Sequence, residues 1–226
     1  MTSITLKDGT EWPLNTAYNG DCLEFMQSLP DKCIDLVLTD PPYGIGANKM
    51  TLGNGKEKVF RGSDDWDANI PDRNVFEEIF RISKNQIIWG GNYFVEYLKP
   101  SMGWIFWDKG TGGNDFSDGE LAYTSFDQAL KKYFVSWVGQ NAKEKNQERR
   151  IHPTQKSLKL FKWCLEKYAP DNAIIFDPFL GSFTTALACH NYGLNWLGCE
   201  KDEDYFKAGL NRYNLAKQQI LMEFDQ

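Results

Sequence analysis

The sequence predicts an α/β fold with one doubly wound, mostly parallel sheet in a single domain over residues 1–226. Three observations support this prediction. Short aliphatic runs alternate with segments whose apolar residues recur at helical spacing, which is typical of β-α-β units. Two of the aliphatic runs end in an Asp-Pro dipeptide, at Asp40-Pro41 and Asp177-Pro178. The chain contains no internal repeat, low-complexity segment or linker that would favour two domains.

The first half of the chain predicts these elements in order. A small hairpin is expected at 4–14, a strand at 16–19, and a helix that Asp21 caps and that ends near Leu29. The run 34–39 is short, aliphatic and bounded by turn formers, so it predicts a buried parallel strand. A helix opened by Pro71 follows, and then four strands are expected, at 86–89, 103–107, 121–126 and 134–138.

The second half continues the alternation. A helix is predicted at 157–168, with apolar residues on one face, and a buried strand at 173–176. A helix to about 191, a strand at 195–199 and a terminal helix from near 202 complete the fold. Because parallel strands need helical crossovers, this order predicts helices on both faces of the sheet.

The composition excludes several classes of protein. A net charge of −6 argues against a surface coated in basic residues, so contact with a nucleic acid would depend on local patches. Five cysteines without a Cys-x-x-Cys pair indicate reduced core thiols in a cytoplasmic protein rather than a disulfide framework or a metal site. Neither a signal peptide nor a membrane span is expected.

The tetrapeptide Asp40-Pro41-Pro42-Tyr43 follows the strand at 34–39. It therefore lies at the carboxyl end of a strand, where open α/β sheets bind ligands. The two prolines stiffen the backbone and have no N–H, Asp40 adds a carboxylate, and Tyr43 adds a flat aromatic face. Such a site can accept two hydrogen bonds from an exocyclic amine and stack on the ring of a nucleobase. The alternative interpretation is a strand-to-loop turn without a function.

A second candidate site follows the strand at 173–176. Its turn, Asp177 to Thr185, contains Gly181 and precedes a helix, and Glu200 closes the next strand. This is the layout of a mononucleotide-binding half, in which the carboxylate binds ribose hydroxyls. The Gly-x-Gly-x-x-Gly pattern of pyrophosphate sites is absent, so a cationic nucleoside fits better, with Asp177 facing its charge and Phe179 packing on it. The alternative is an ordinary turn in which Ser182 caps the helix.

A third motif, His152-Pro153-Thr154-Gln155-Lys156, precedes the helix at 157–168. Thr154 and the neighbouring amides could bind a carboxylate at the start of this helix, where the dipole favours an anion. The alternative is that Thr154 caps the helix and His152 is structural.

Two segments, 44–69 and 134–151, are candidate DNA-contacting loops. The first lacks a regular pattern and carries basic residues, and its alternative is a solvated surface insertion; the second is polar and basic from 139 to 150. The candidate DNA-binding residues are Lys49, Lys56, Lys58, Arg61, Lys143, Lys145, Arg149 and Arg150.

The three motifs in this order resemble the β class of DNA amino-methyltransferases over residues 15–212. That class carries the catalytic motif before the cofactor motif, a circular permutation of the usual methyltransferase order. The resemblance implies a Rossmann-like, S-adenosylmethionine-dependent methyltransferase fold, with S-adenosylhomocysteine as product and no metal. It also implies DNA as the partner, in DNA methylation of the kind found in restriction-modification; a homodimer is left open.

The resemblance also assigns roles to residues. The implied catalytic residues are Asp40, Pro41, Pro42 and Tyr43. The implied cofactor contacts are Asp21, Cys22, Asp40, Thr154, Lys156, Asp177, Phe179, Gly181, Ser182, Thr184 and Glu200.

The expected enzyme is a site-specific, adenine-specific DNA methyltransferase that acts on the N6 amine of a flipped-out adenine, since a tetrapeptide with Asp first is usual for such enzymes. The alternatives are a cytosine N4 enzyme, an enzyme acting on adenine in RNA, and a catalytically weak protein that binds DNA or a partner.

The sequence departs from the family pattern in two places. Phe183 stands where the family pattern has glycine, so the turn must repack around a bulky ring. Only about residues 134–151 are available where the family often inserts a large target-recognition region. Recognition of a DNA sequence would therefore depend on this segment and on 44–69. This predicts a short or relaxed recognition site.

Overall fold

A computed structural model describes residues 1–46, 67–111, 117–136 and 151–224, with side chains described as far as residue 218. All eight basic residues expected to contact DNA lie outside the described residues, so their role stays a prediction. They are Lys49, Lys56, Lys58, Arg61, Lys143, Lys145, Arg149 and Arg150.

The described chain forms an eight-stranded sheet and a separate two-stranded hairpin. The hairpin pairs β1 with β2, as the sequence predicts, and the large sheet has the order β3-β10-β9-β4-β5-β7-β6-β8. Strand β7 is antiparallel to both of its neighbours, and every other pair in this sheet is parallel. The strands are β1 (Ser3–Thr5), β2 (Glu11–Pro13), β3 (Thr16–Asn19), β4 (Ile34–Thr39), β5 (Ser83–Trp89), β6 (Trp104–Asp108), β7 (Gly119–Thr124), β8 (Lys131–Phe134), β9 (Ile174–Asp177) and β10 (Asn195–Glu200).

Helices cover both faces of the large sheet. Leu36 and Leu38 of β4 face one apolar cluster, which contains buried residues of the third and fourth helices, whereas Val37 faces the other, with buried residues of the first two. The alternation of side chains along one strand therefore fills two cores, and the prediction of a doubly wound sheet is confirmed. The helices are α1 (Cys22–Ser28), α2 (Arg73–Ile82), α3 (Leu158–Tyr168), α4 (Thr184–Tyr192) and α5 (Glu203–Phe224), and a 3₁₀ turn lies at Gly91–Tyr93.

The strand order reverses between β9 and β4. From β9 the chain continues to β10 on one side, and from β4 it continues to β5 on the other. Such a reversal leaves a crevice outside the carboxyl ends of the two strands. Asp177 ends β9 and Asp40 follows β4, so the fold brings both predicted motifs to this crevice.

One predicted strand is misplaced. The strand expected at 134–138 is β8, at Lys131–Phe134, and Val135 and Ser136 follow it without strand structure. β8 pairs with β6 at the edge of the sheet, where its residues stay half-buried or exposed. The two lysines that begin it do not show the apolar pattern of a buried strand, which is why the sequence pointed to the more apolar residues after it.

Within the described part of the chain, all five cysteines are free thiols, and no group of three or more potential metal ligands occurs. None of the described helices is long and apolar enough to cross a membrane.

Candidate functional site

The carboxylate of Asp40 lies at the carboxyl end of β4 and is held through both oxygens. The Tyr43 hydroxyl donates to Oδ1 at 2.6 Å, and the Lys156 ammonium donates to Oδ2, also at 2.6 Å. The Lys156 side chain is only 7% exposed and that of Asp40 15%. A lysine from the motif before α3 is thus paired with the carboxylate of the tetrapeptide, far away in sequence.

Lys156 also contacts a second carboxylate. Its Nζ lies 3.0 Å from Oε2 of Glu120, the second residue of β7, and 3.2 Å from the Tyr43 hydroxyl. Lys109, which follows β6, contacts the other oxygen of Glu120 at 2.5 Å. Two carboxylates and two ammonium groups therefore alternate in one cluster: Asp40, Lys156, Glu120 and Lys109. Its formal charges cancel.

The pKa values of the two carboxyls of this cluster shift in opposite directions, although burial acts to raise both. Burial raises the pKa of Asp40, which shares the Lys156 ammonium with Glu120. Burial also acts to raise the pKa of Glu120, but the ammonium groups of Lys156 and Lys109 outweigh it and lower that pKa to about 2. For Lys156, burial opposes the charge, but the two carboxylates outweigh it and raise its pKa. The cluster therefore keeps Glu120 and Lys156 ionised and leaves Asp40 the stronger base of the two carboxylates.

The ring of Tyr43 contacts a second aromatic ring, an ammonium group and a glycine. Tyr93, from the turn after β5, stacks on it with ring centroids 4.8 Å apart, and the Lys156 ammonium lies 5.3 Å from its centroid. The ring also packs against Gly90, where a Cβ atom would come within 2.1 Å of Cε1 of Tyr43. Gly90 has a φ of 69°, so a glycine is required both for this backbone conformation and for the approach of the ring.

At the end of β9, Asp177 directs its carboxylate to its own turn. Thr39 donates to Oδ1 at 2.7 Å, Thr185 to Oδ2 at 2.5 Å, and the Phe179 amide to Oδ1 at 3.0 Å. Burial raises the pKa of Asp177 to about 6, against the effect of these donors. The Thr39 contact links the end of β4 to the end of β9. The other two contacts hold the carboxylate of Asp177 against the turn that follows β9.

Glu200, at the end of β10, also binds neutral donors. The Gly181 amide donates to Oε2 at 2.7 Å and the Asp202 amide to Oε1 at 2.8 Å. Burial raises the pKa of Glu200 to about 7. Gly181 has a left-handed φ of 48°, which a glycine adopts without strain. The carboxylate and the glycine turn, separate in sequence, thus form one hydrogen-bonded unit.

The ring of Phe183 is directed away from the crevice. Phe183 has a φ of 60°, the ring is fully buried, and it packs edge-on against Trp196 and Phe206 at 6.2 and 5.9 Å between centroids. Gly209 of α5 makes room for it, since a Cβ atom there would meet the ring at 2.2 Å. The predicted repacking is therefore present, and it occurs in the core beneath α5. Phe183 is also the residue before α4, and no side chain caps this helix, so the alternative of a capping Ser182 is wrong.

The motif from His152 to Lys156 joins the two ends of the crevice. Lys156 reaches Asp40 on one side, and its carbonyl accepts from Thr184 at 3.4 Å on the other. His152 is buried against Tyr205, with ring centroids 4.3 Å apart, and accepts from the Thr154 amide at 3.3 Å; burial lowers its pKa to about 3. Ser157 precedes α3, so the alternative in which Thr154 caps this helix is wrong.

The other predicted cofactor residues lie around this crevice. Asp21 follows β3, caps α1 through the Leu23 amide at 2.9 Å, and pairs with Lys201 at 3.1 Å. Cys22 is buried, which raises the pKa of its thiol to about 12. Ser182 and Thr184 are buried and 2.9 Å apart between hydroxyls, and the ring of Phe179 is partly buried.

Sequence reasoning missed Glu120 and Lys109. Neither belongs to a motif, and the expected strand at 121–126 began just after Glu120. The one available signal was a glutamate next to an apolar strand, which is common at strand ends. The antiparallel direction of β7 brings its first residues to the edge where the parallel strands end, and this direction was not predicted.

Residues 73–211, more than half of the chain, match the N6/N4 family of DNA methylases. The chain belongs to this family. The match includes the motif from His152 to Lys156, the Asp177 turn and Glu200, which confirms the family resemblance of the sequence.

Individual relatives support this membership over most of the chain. The type II methyltransferase M2.MboI of Moraxella bovis is 25% identical over 250 residues, covering 92% of this chain and 91% of its own length. The type II methyltransferase M.HinfI of Haemophilus influenzae is 26% identical over 251 residues, covering 90% of this chain and 69% of its own.

Solved structures show the same fold. M1.HpyAVI, crystallised with S-adenosylmethionine, superposes with a TM-score of 0.59 at 22% identity, covering 88% of this methylase and 98% of its own chain. The cytosine-N4-specific PvuII DNA methyltransferase also gives a TM-score of 0.59, at 15% identity, covering 88% of this chain and 86% of its own. The predicted Rossmann-like methyltransferase fold is thus confirmed.

Proposed function

We propose that this methylase transfers a methyl group from S-adenosylmethionine to the N6 amine of adenine in DNA. The observation that carries this proposal is the carboxylate of Asp40, 15% exposed at the carboxyl end of β4 beside two prolines and an aromatic ring. Its pKa is raised by burial, and a lysine ammonium compensates its charge. These properties suit a group that accepts a hydrogen bond from an amine and then takes up a proton.

The residues at the ends of β9 and β10 fit the proposed cofactor. Glu200 accepts one amide at each oxygen, which leaves lone pairs for the two hydroxyls of a ribose. The left-handed Gly181 lets the backbone approach a ligand closely, and the ring of Phe179 offers an apolar contact. Asp21 lies at the end of β3 and would receive the adenine amine of the cofactor. When bound, S-adenosylmethionine supplies a methyl group on a sulfonium, and S-adenosylhomocysteine is the product.

The target adenine must leave the DNA helix to reach this crevice. The ring of Tyr43 would stack on it, in the place that the 43% exposed Tyr93 now takes. Stacking of a base on an aromatic side chain is worth about 1–3 kcal/mol by alanine substitution. Asp40 and the carbonyl of Pro41 would then accept the two N–H groups of N6.

The chemistry follows from these contacts. The lone pair of N6 is delocalised into the ring, so N6 is a poor nucleophile until its hydrogen bonds favour a more tetrahedral nitrogen. As the new N–C bond forms and the S–C bond breaks with its electron pair on sulfur, N6 becomes positive. The negative charge of Asp40 offsets this charge, and Asp40 takes the proton that N6 loses.

A methyl-transfer assay tests the proposal. The protein is incubated with labelled S-adenosylmethionine and unmethylated DNA. The product is digested to nucleosides, and the mass of each nucleoside is measured by mass spectrometry. N6-methyladenine is the expected product, and a product that carries label only on cytosine would contradict adenine specificity. Absence of label in DNA, with cofactor binding intact, would favour a protein that only binds DNA or a partner. Mapping of the modified bases would test the predicted short or relaxed site.

Cytosine N4 is the second candidate, because the cytosine-N4-specific PvuII enzyme shares the fold. Both reactions methylate an exocyclic amine, and Asp40 could serve either. Adenine is preferred here because the tetrapeptide begins with Asp rather than the serine more usual in the cytosine enzymes.

A further inference from the structure

The three N–H groups of the Lys156 ammonium face three acceptors. An ammonium group has three N–H donors and accepts no hydrogen bond. Lys156 meets Asp40 Oδ2 at 2.6 Å, Glu120 Oε2 at 3.0 Å and the Tyr43 hydroxyl at 3.2 Å. Because its side chain is only 7% exposed, a lost contact could not simply be replaced by bulk water. Lys156 therefore stays next to Asp40 unless another acceptor holds it.

The position of this ammonium conflicts with the proposed chemistry. Oδ1 of Asp40 receives the Tyr43 hydroxyl, and Oδ2 receives Lys156. Oδ2 keeps a second lone pair for an adenine amine, but positive charge would then grow on N6 beside an ammonium already in contact with the same oxygen. If Asp40 were the only carboxylate near Lys156, the amine would have to break a buried ion pair and leave a buried charge alone, which is strongly unfavourable.

Glu120 removes this difficulty because it offers Lys156 a second carboxylate. Lys109 takes one oxygen of Glu120 at 2.5 Å, and the other oxygen is directed to Lys156. Glu120 comes from β7 and Asp40 follows β4, so the two carboxylates contact the ammonium from different strands.

We propose that Glu120 is a positioning residue for methyl transfer, which retains the Lys156 ammonium while Oδ2 of Asp40 turns to the target amine. This inference rests on the proposed function. Before the base enters, the Lys156 ammonium donates to Oδ2 of Asp40, the oxygen that later accepts the target amine. It remains paired with Glu120 once the amine has taken its place.

The first experiment compares single-turnover rates on one adenine-containing duplex. Glu120→Gln keeps the shape but removes the charge, so Lys156 is left with Asp40 as its only charged partner. The rate should fall roughly tenfold, within the range that coupled neighbours show. Affinity for S-adenosylmethionine, measured by calorimetry, should be unchanged. Glu120→Asp restores the charge and should recover part of the loss.

Asp108→Asn is the matched control. Asp108 ends the neighbouring strand β6, its side chain is 25% exposed against 20% for Glu120, and it pairs with Lys132 at 2.7 Å outside the cluster. This control removes a carboxylate charge of similar exposure, paired with the more exposed Lys132, and should keep the wild-type rate.

A double-mutant cycle separates positioning from general stability. In a Lys156→Met background Glu120 keeps its contact with Lys109 but has no ammonium to draw away from Asp40, so Glu120→Gln should cause no further fall in rate. The same cycle with Glu120→Asp serves if the glutamine variant does not fold. An equal fold-loss in both backgrounds would overturn the inference.

The remaining outcomes distinguish the two proposals. If the wild-type protein methylates adenine and Glu120→Gln keeps its rate within twofold, the positioning role is wrong and the proposed function stands. If the wild-type protein transfers no methyl group to DNA, the proposed function fails and the inference fails with it.

Discussion

The two ends of the crevice stabilise their carboxylates by different means. At the end of β4, Asp40 is paired with the ammonium of Lys156, which Glu120 shares. At the ends of β9 and β10, Asp177 and Glu200 accept hydrogen bonds from hydroxyls and backbone amides that carry no formal charge. Both regions are largely buried, yet among the described residues cations pair with the carboxylates of the first region, whereas Arg212 in the second donates to the carbonyl of Ser182.

This difference matches what each region is proposed to do. Asp40 must be charged when positive charge grows on the target amine, and a nearby ammonium favours the ionised form against the effect of burial. Glu200 would bind a cofactor that carries its own positive charge, so a lysine there would repel the ligand. The pKa of about 7 for Glu200 is the consequence, because burial raises it and only neutral donors oppose the rise.

The largest expected effect concerns Phe183, which separates folding from cofactor binding. Phe183→Ala removes a fully buried ring beneath α5 and should lower the free energy of unfolding by roughly 3–5 kcal/mol. Affinity for S-adenosylmethionine should change little, because the ring is directed away from the crevice. Denaturant unfolding and calorimetry measure the two quantities. A large loss of affinity in a variant that remains folded would show that the ring shapes the cofactor site.

Asp40→Asn tests the charged end of the crevice. The variant keeps the shape of the side chain, but the negative charge that offsets the developing charge on N6 is lost. Removal of one preorganised electrostatic contact typically costs about 10²–10³ in rate. Affinity for S-adenosylmethionine should stay close to that of the wild type. Single-turnover transfer at near-wild-type rate would remove Asp40 from the chemistry and leave the tetrapeptide a turn.

Glu200→Gln tests the other end. Loss of charged acceptors for the ribose hydroxyls should weaken binding of S-adenosylmethionine by roughly 1.5–3 kcal/mol for each hydrogen bond lost. Glu203→Gln is the matched control, since Glu203 is 69% exposed at the start of α5 and pairs only across a helical turn with Lys207. Equal affinities of both variants in calorimetry would remove Glu200 from the cofactor site.

The pH dependence of cofactor binding sharpens the same comparison. The proposed ligand binds the ionised form of Glu200, whose pKa burial raises to about 7. Affinity should therefore fall as the pH falls through 7, by about tenfold for each further pH unit, and binding near pH 7 should release protons. Asp177, with a pKa raised to about 6, titrates in the same range, so Glu200→Gln provides the control. A flat profile in the wild type would contradict the assignment.

The smallest expected effect is that of Tyr43→Phe. The variant keeps the ring for stacking and loses the hydroxyl that donates to Asp40 at 2.6 Å. Because the charge of Asp40 is kept and one hydrogen bond is lost, the transfer rate should fall by less than about tenfold. Tyr43→Ala should be more severe, since the stacking surface is lost as well. Equal rates for the two variants would contradict a stacking role.

The sequence by itself determined the features that depend on neighbouring residues. Aliphatic runs and their spacing established the order of strands and helices, and the Asp-Pro dipeptides marked where two strands end. Since the carboxyl ends of parallel strands meet at one edge, the proximity of the Asp40 and Asp177 motifs followed from the predicted fold class.

Only the tertiary structure decided which groups meet across strands. The pairing of Lys156 with Asp40 and Glu120 joins three distant segments, and Glu120 reaches the crevice because β7 runs against its neighbours. Phe183 departs from the family pattern, yet its ring is part of the core. Its left-handed backbone and the space left by Gly209 make this possible. Local propensity carries no information on whether a strand runs parallel or antiparallel to its neighbours, or on the space beneath a helix, because both are set by packing of the whole chain.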